Sequence, residues 1–151
     1  MTLLRKSFFV ALITLIAAPA FSQSSPTVKP AIYASYPNSI NGSSSEFASA
    51  INATEGQHIV LTFSDNFKFS GTVISNVVKY SNLQSVVIRS DESSNTIFHL
   101  SKQTNADNSV SYVGRIINKE ASDGYEIKTD MSGNYIFQKS ETEKVMPECK
   151  Q

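Results

Sequence analysis

Residues 61–71, "LTFSDNFKFSG", set Phe63, Phe67 and Phe69 within seven positions, with Asp65 and Asn66 between the first ring and the other two. Upstream, "HIVLTF" alternates Ile59, Leu61 and Phe63 against Val60 and Thr62; downstream, "FKFSGTVI" alternates Phe67, Phe69 and Val73 against Lys68, Ser70 and Thr72. A period of two is the signature of a half-buried strand, and Asp-Asn is turn chemistry, so the segment predicts a β-hairpin. Alternate residues on adjoining strands share one side of a sheet, which places the three rings together. Burial contributes about 1.5–3 kcal/mol for each such side chain, so the rings are expected in the core rather than on a gripping surface. Gly71 interrupts the alternation and predicts a bulge or the close approach of another element such as a helix.

The same period continues toward the C-terminus. "SNVVKYSNLQSVVIRS" divides at Ser81 and Asn82 into a short strand at Val77–Tyr80 and a longer one at Leu83–Arg89. After the turn "DESSN", "TIFHLSK" places Phe98 and Leu100 on one face and Ile97 and His99 on the other. "VSYVGRII" puts Val110, Tyr112 and Ile116 on a common face, and "YEIK" and "YIFQK" follow, separated by "TDMSGN". Upstream of the hairpin, "AIYASY" (31–36) reads as a short edge strand between Pro30 and Pro37.

One segment carries a helical period. In "NGSSSEFASAINATEG", Ser43 precedes Glu46 by three residues, the spacing of a capping box, which starts a helix near Ser44. Phe47, Ala50 and Ile51 then line one face, and Gly56 supplies a stop. So short an amphipathic helix is not stable alone and must dock on a sheet. The expected class is mainly β (α+β): a twisted antiparallel sheet, or a small barrel or roll, of about seven to eight strands with one short N-terminal helix packed on it.

The chain opens on "MTLLRKSFFVALITLIAAPAFSQ", in which Arg5 and Lys6 precede an apolar run from Phe8 to Ala18 and small residues at Ala20 and Ser22. This is the pattern of a secretory signal peptide over residues 1–22, cleaved between Ser22 and Gln23, with a cut after Ala20 as the alternative. Eleven apolar residues are too few to span a bilayer, which needs about 20. The expected location is secreted or periplasmic, with a solvated leader at 23–30, a single β-rich domain at 31–139 and a tail at 140–151.

Export removes Arg5 and Lys6 from 13 basic residues, leaving 11 against 13 acidic ones and a formal charge of −2. That balance gives no electrostatic case for nucleic acid, and no basic amphipathic helix argues for a membrane surface once the signal is gone. The single cysteine, Cys149 in "VMPECKQ", cannot close an internal disulfide, and its sharper reading is an intermolecular one.

Catalytic signatures are weak. No G-x-S-x-G elbow or H-E-x-x-H motif occurs, and the two histidines, His58 and His99, stand 41 residues apart. No cofactor or metal is expected. Asp65, Asp91, Asp107, Asp123 and Asp130 all fall in predicted turns, where an aspartate bonds its own following backbone. Asn41 and Asn52 match N-glycosylation acceptors. Tyr125 and Tyr135 each open a strand after a turn, which marks them as a candidate interaction surface at one rim. The composite expectation is a noncatalytic binding or accessory module for a protein or glycan partner. The alternatives are a small secreted hydrolase using loop carboxylates such as Asp91 and Glu92, or His99, and a structural subunit joined through a strand edge or Cys149.

Overall fold

The computed structural model describes residues 29–142. The expected signal peptide, its expected cleavage site at Ser22 and Gln23, and Cys149 lie outside the described residues. Eight antiparallel strands form a nearly closed, barrel-like sheet with one helix. In chain order these are β1 (Ser39–Asn41), α1 (Ser44–Asn52), β2 (His58–Ser64), β3 (Phe67–Tyr80), β4 (Leu83–Ser90), β5 (Thr96–Thr104), β6 (Val110–Asn118), β7 (Asp123–Thr129) and β8 (Tyr135–Glu141). From β2 to β8 each strand pairs with the next, and β1 returns to pair with β8, giving the order β1-β8-β7-β6-β5-β4-β3-β2.

The opening hairpin folds as its period requires. Leu61 faces Phe69 across the β2–β3 ladder, and Leu61, Phe63, Phe67 and Phe69 are all buried. Their rings join a continuous aromatic cluster. Phe63 lies 4.6 Å from Phe137 at 68°, Phe69 lies 5.5 Å from Phe98 at 63°, and Phe98 lies 5.8 Å from Phe137. Tilted and edge-on pairs of this kind set the positive ring edge against the negative face, a gain beyond area burial alone.

Gly71 marks the close approach of another element, as its place in the alternation predicts. It continues the inward row of Phe67, Phe69 and Val73, and what approaches it is the neighbouring strand rather than the helix. A Cβ there would overlap the Arg89 carbonyl oxygen. Gly114 on β6 has the same role, with a Cβ meeting the His99 carbonyl at 2.6 Å. Glycines of this type let a sheet curl sharply enough to approach closure. The register shifts lie further along, between Val73 and Ser75 and between Val78 and Tyr80. These bulges bend β3 without ending it, so the segments read as two strands in the sequence form one strand of 14 residues.

Helix α1 starts where the capping box places it. The Ser43 Oγ accepts from the Glu46 amide at 3.4 Å, and Phe47, Ala50 and Ile51 are buried. It ends earlier than Gly56, with Ala53 already extended; Gly56 instead takes a positive φ in the following turn and donates its amide to Val73. The last carbonyls are satisfied from the sheet. Asn76 donates to the Ile51 and Ala53 oxygens at 2.8 and 2.7 Å, and Gln84 donates to Ile51 at 3.0 Å. Phe47 packs on Phe63, Tyr112, Tyr135 and Phe137, so the helix fills the barrel end where β6 and β8 begin.

Two boundaries are corrected. Residues 31–36 form a turn rather than a strand, because Asp123 and the ends of β7 and β8 take their polar groups individually; the first strand is β1. At the other terminus the ladder extends past residue 139. Asp123 pairs with Glu141, and the Thr142 amide donates to Ser122.

Candidate functional site

The barrel end opposite the helix carries the β4–β5 turn, the loop 118–122 and residues 30–38, which cross it as a strap. The strap is tied down at several points. The Asp123 carboxylate accepts from the amides of Ile32 and Tyr33 at 2.8 and 2.9 Å, Ser122 donates to the Pro30 carbonyl, and the Lys139 ammonium donates to the Tyr36 carbonyl. The Tyr125 hydroxyl donates to the Pro37 carbonyl at 2.6 Å. Between strap and barrel lies a cavity of about 280 Å³ lined by Tyr33, Tyr36, Phe67, Phe69, Ser70 and Glu92, among others. Tyr33 and Tyr36 stand 6.0 Å apart at 67°, and Tyr36 meets Phe67 at 5.8 Å and 78°, so the walls present ring faces at steep angles to one another.

The polar groups here divide into spent and free. Asn118 donates to Ser93 and Thr96, and its side-chain oxygen accepts from the Glu120 amide. Ser90 accepts from the Glu92 amide. By contrast, the hydroxyls of Tyr33 and Tyr36 and the carboxylate of Glu92 make no hydrogen bond or ion pair among the described residues. Burial pushes the Tyr33 phenol well above its ordinary pKa, and the nearby charges of Glu92 and Asp123 push it further, so it stays a neutral donor.

At the rim of this mouth the structure brings together residues far apart in the chain. His58 Nε2 lies 2.7 Å from Asp91 Oδ2, and the Ser70 Oγ donates to the same carboxylate oxygen at 2.5 Å while standing 3.3 Å from His58 Nε2. A nucleophilic relay needs the carboxylate on one ring nitrogen and the hydroxyl on the other. Here both crowd a single nitrogen, and the serine spends its proton on the aspartate. The hydrogen bonds from Ser70 and then His58 hold the Asp91 carboxyl below the usual range, which keeps it an anion rather than a proton donor. The trio can staple the β2–β3 hairpin to the β4–β5 turn.

His99 lies elsewhere, on the outer wall. β6 and β7 pair only at Arg115 with Glu126 and Ile116 with Tyr125, and where they diverge a depression of about 330 Å³ is lined by His99, Val113, Arg115, Glu126 and Lys128. Burial, then Arg115 and Lys79, lower the His99 pKa, so its surroundings oppose a proton. Glu126 is engaged by Lys128 at 2.7 Å. A broader, open groove of about 840 Å³ runs along Asn38, Arg115, Asp123, Gln138 and Lys139. Several of its polar groups are already committed: Gln138 donates to the Asn38 carbonyl, and Asp123 and Lys139 hold the strap.

The tyrosine surface expected at one rim does not form. Tyr125 is fully buried against Phe67 and Tyr33, and burial, with Asp123 adding, pushes its phenol up to about 12. Tyr135 is half-buried at the opposite end, where its hydroxyl accepts the Tyr112 amide at 3.1 Å. The rings at the mouth, exposed Tyr36 and half-buried Tyr33, were hidden from a period-two reading because they sit on a turn. Their signal was the bracketing of "AIYASY" by Pro30 and Pro37. Asn41 and Asn52 are both exposed. Among the described residues no group of three or more His, Cys, Asp and Glu side chains could hold a metal, and no helix is long and apolar enough to cross a membrane. Compared with protein-family models, curated proteins and solved structures, the chain matches none.

Proposed function

We propose that this chain is an exported, noncatalytic binding module that takes a small ligand, or a protruding group of a protein or glycan partner, into the mouth beneath the 30–38 strap. The observation that carries the reading is the coincidence of a concave, ring-lined cavity with free polar groups, the usual composition of a ligand site in a barrel mouth. The signal-like N-terminus supports export, and a mature protein beginning at Gln23 by mass spectrometry is the expected result. To test the binding reading, a fragment library is titrated into the isotope-labelled protein. Saturable shifts clustered at Tyr33, Tyr36, Phe69 and Glu92, abolished by Tyr36→Ala, are expected; hits scattered over the outer wall would overturn it.

A second reading, assembly through a strand edge, has its own support. β2 covers β3 only as far as Thr72, so residues 75–80, paired with β4 on one side, have no ladder partner on the other among the described residues, and Val77, Val78 and Tyr80 are exposed. Such an edge is a template for pairing, here with the same edge of a second copy. A concentration-dependent dimer in light scattering that Val78→Pro eliminates is expected, and a strict monomer at high concentration contradicts it.

A further inference from the structure

We propose that the mouth binds a small organic cation, its ammonium group seated between the Tyr33 and Tyr36 rings and facing the Glu92 carboxylate; this rests on the mouth being the binding site. The negative face of an aromatic ring attracts a cation within about 6 Å of its centroid, and two rings set at a steep angle form a corner in which one cation meets both. Tyr33 and Tyr36 make such a corner, 6.0 Å apart at 67°, with Phe67 closing it edge-on to Tyr36.

The local charge has the matching sign. Glu92 lines the cavity with no partner for its carboxylate among the described residues, and Asp123 lies close enough to act on the Tyr33 phenol. Asp123 is not available as a direct ligand group, since two backbone amides already occupy its oxygens. Lys68 also contributes to the lining, but it alternates with the inward rings of Phe67 and Phe69, so its stem leaves from the opposite face of β3. The one cationic side chain that an anion would meet among the described lining residues is that peripheral ammonium, and beyond it only neutral hydroxyl donors oppose the field of two carboxylates. A neutral apolar molecule would leave the Glu92 carboxylate partly desolvated without compensation. A cation satisfies both the rings and the acid.

Choline and its uncharged carbon isostere 3,3-dimethylbutan-1-ol separate charge from shape, acetate tests the opposite sign, and Nα-acetyl-lysine methylamide tests a peptide-borne ammonium. Each is titrated into the full mature protein and followed by NMR. The expected result is saturable movement of Tyr33 and Tyr36 resonances by the cations, with the isostere weaker by on the order of tenfold. Glu92→Gln, an exposed and isosteric change, should weaken choline by a similar factor and leave the isostere unaffected. Either cation supports the assignment, the tighter one naming the source of the ammonium. If the isostere binds as well as choline, or Glu92→Gln changes nothing, the cation assignment falls while the mouth stands. If neutral probes, cations and acetate all fail to move the mouth resonances, both readings fall.

Discussion

Asp123 shows how far one residue can depart from the rule that predicts it. Asp107 and Asp130 behave as turn aspartates, accepting from the amides of Ser109 and of Ser132 and Asn134. Asp91 and Asp123 instead bond across the fold, to His58 and Ser70 and to the strap. A sequence window shows a turn but not which distant amides the turn will meet, and that is why the mouth was not legible from local pattern. Asp123→Ala should cost roughly 1.5–3 kcal/mol in urea denaturation, the range for hydrogen bonds to a charged group, and free the strap; Asp123→Asn should cost less. A change below about 0.5 kcal/mol for the alanine variant would show that the strap is held by other contacts. His99 gives a second test. Its lowered pKa means the unfolded chain binds a proton first, so the contribution of neutral His99 is complete above about 6.5 and is lost as pH falls through the folded value. The melting temperature should fall from pH 7 toward 5, and His99→Gln should flatten that slope. The depressed carboxyls of Asp91, Asp107 and Asp130 act in a separate window, below about pH 4.

At the scale of elements, helix α1 and the hairpin of β2 and β3 were readable because each is specified by a short-range period and a local cap or turn. The length of β3 was not. Bulges and a glycine interrupt its alternation, and an interruption in sequence looks the same whether the strand ends or bends. Gly71→Ala should therefore destabilise the protein by about 1–3 kcal/mol, the range for overpacking, since a methyl would enter the Arg89 carbonyl. A neutral or stabilising alanine in thermal denaturation would mean that β3 and β4 do not approach as described. The C-terminus of α1 depends on side chains from β3 and β4. Asn76→Ala leaves the Ala53 carbonyl without this donor and should cost about 1–2 kcal/mol, with Gln84→Ala smaller, because Asn76 serves two helix carbonyls whereas Gln84 serves one and otherwise donates to the Asn76 side-chain oxygen.

Over the whole molecule, the sequence pattern led to the architecture because nearly every strand buries one face, and alternation then reports directly on the core. Phe63, Phe67, Phe69 and Phe98 come from three strands and meet Phe137 from a fourth in one cluster, which gives the barrel its interior without disulfides among the described residues. The proposed site was less legible because the same rings serve packing, and the residues that line the mouth sit where no period applies: a strap, a turn and a loop. Solvent access of the aromatic rings tests this division most directly. With all phenylalanine and tyrosine rings labelled, a soluble nitroxide should broaden Tyr36 and, more weakly, Tyr33, and leave Phe63, Phe98 and Phe137 untouched. Broadening of Phe63, Phe67 and Phe69 to the level of Tyr36 would contradict a closed interior, and with it the assignment of binding to the mouth.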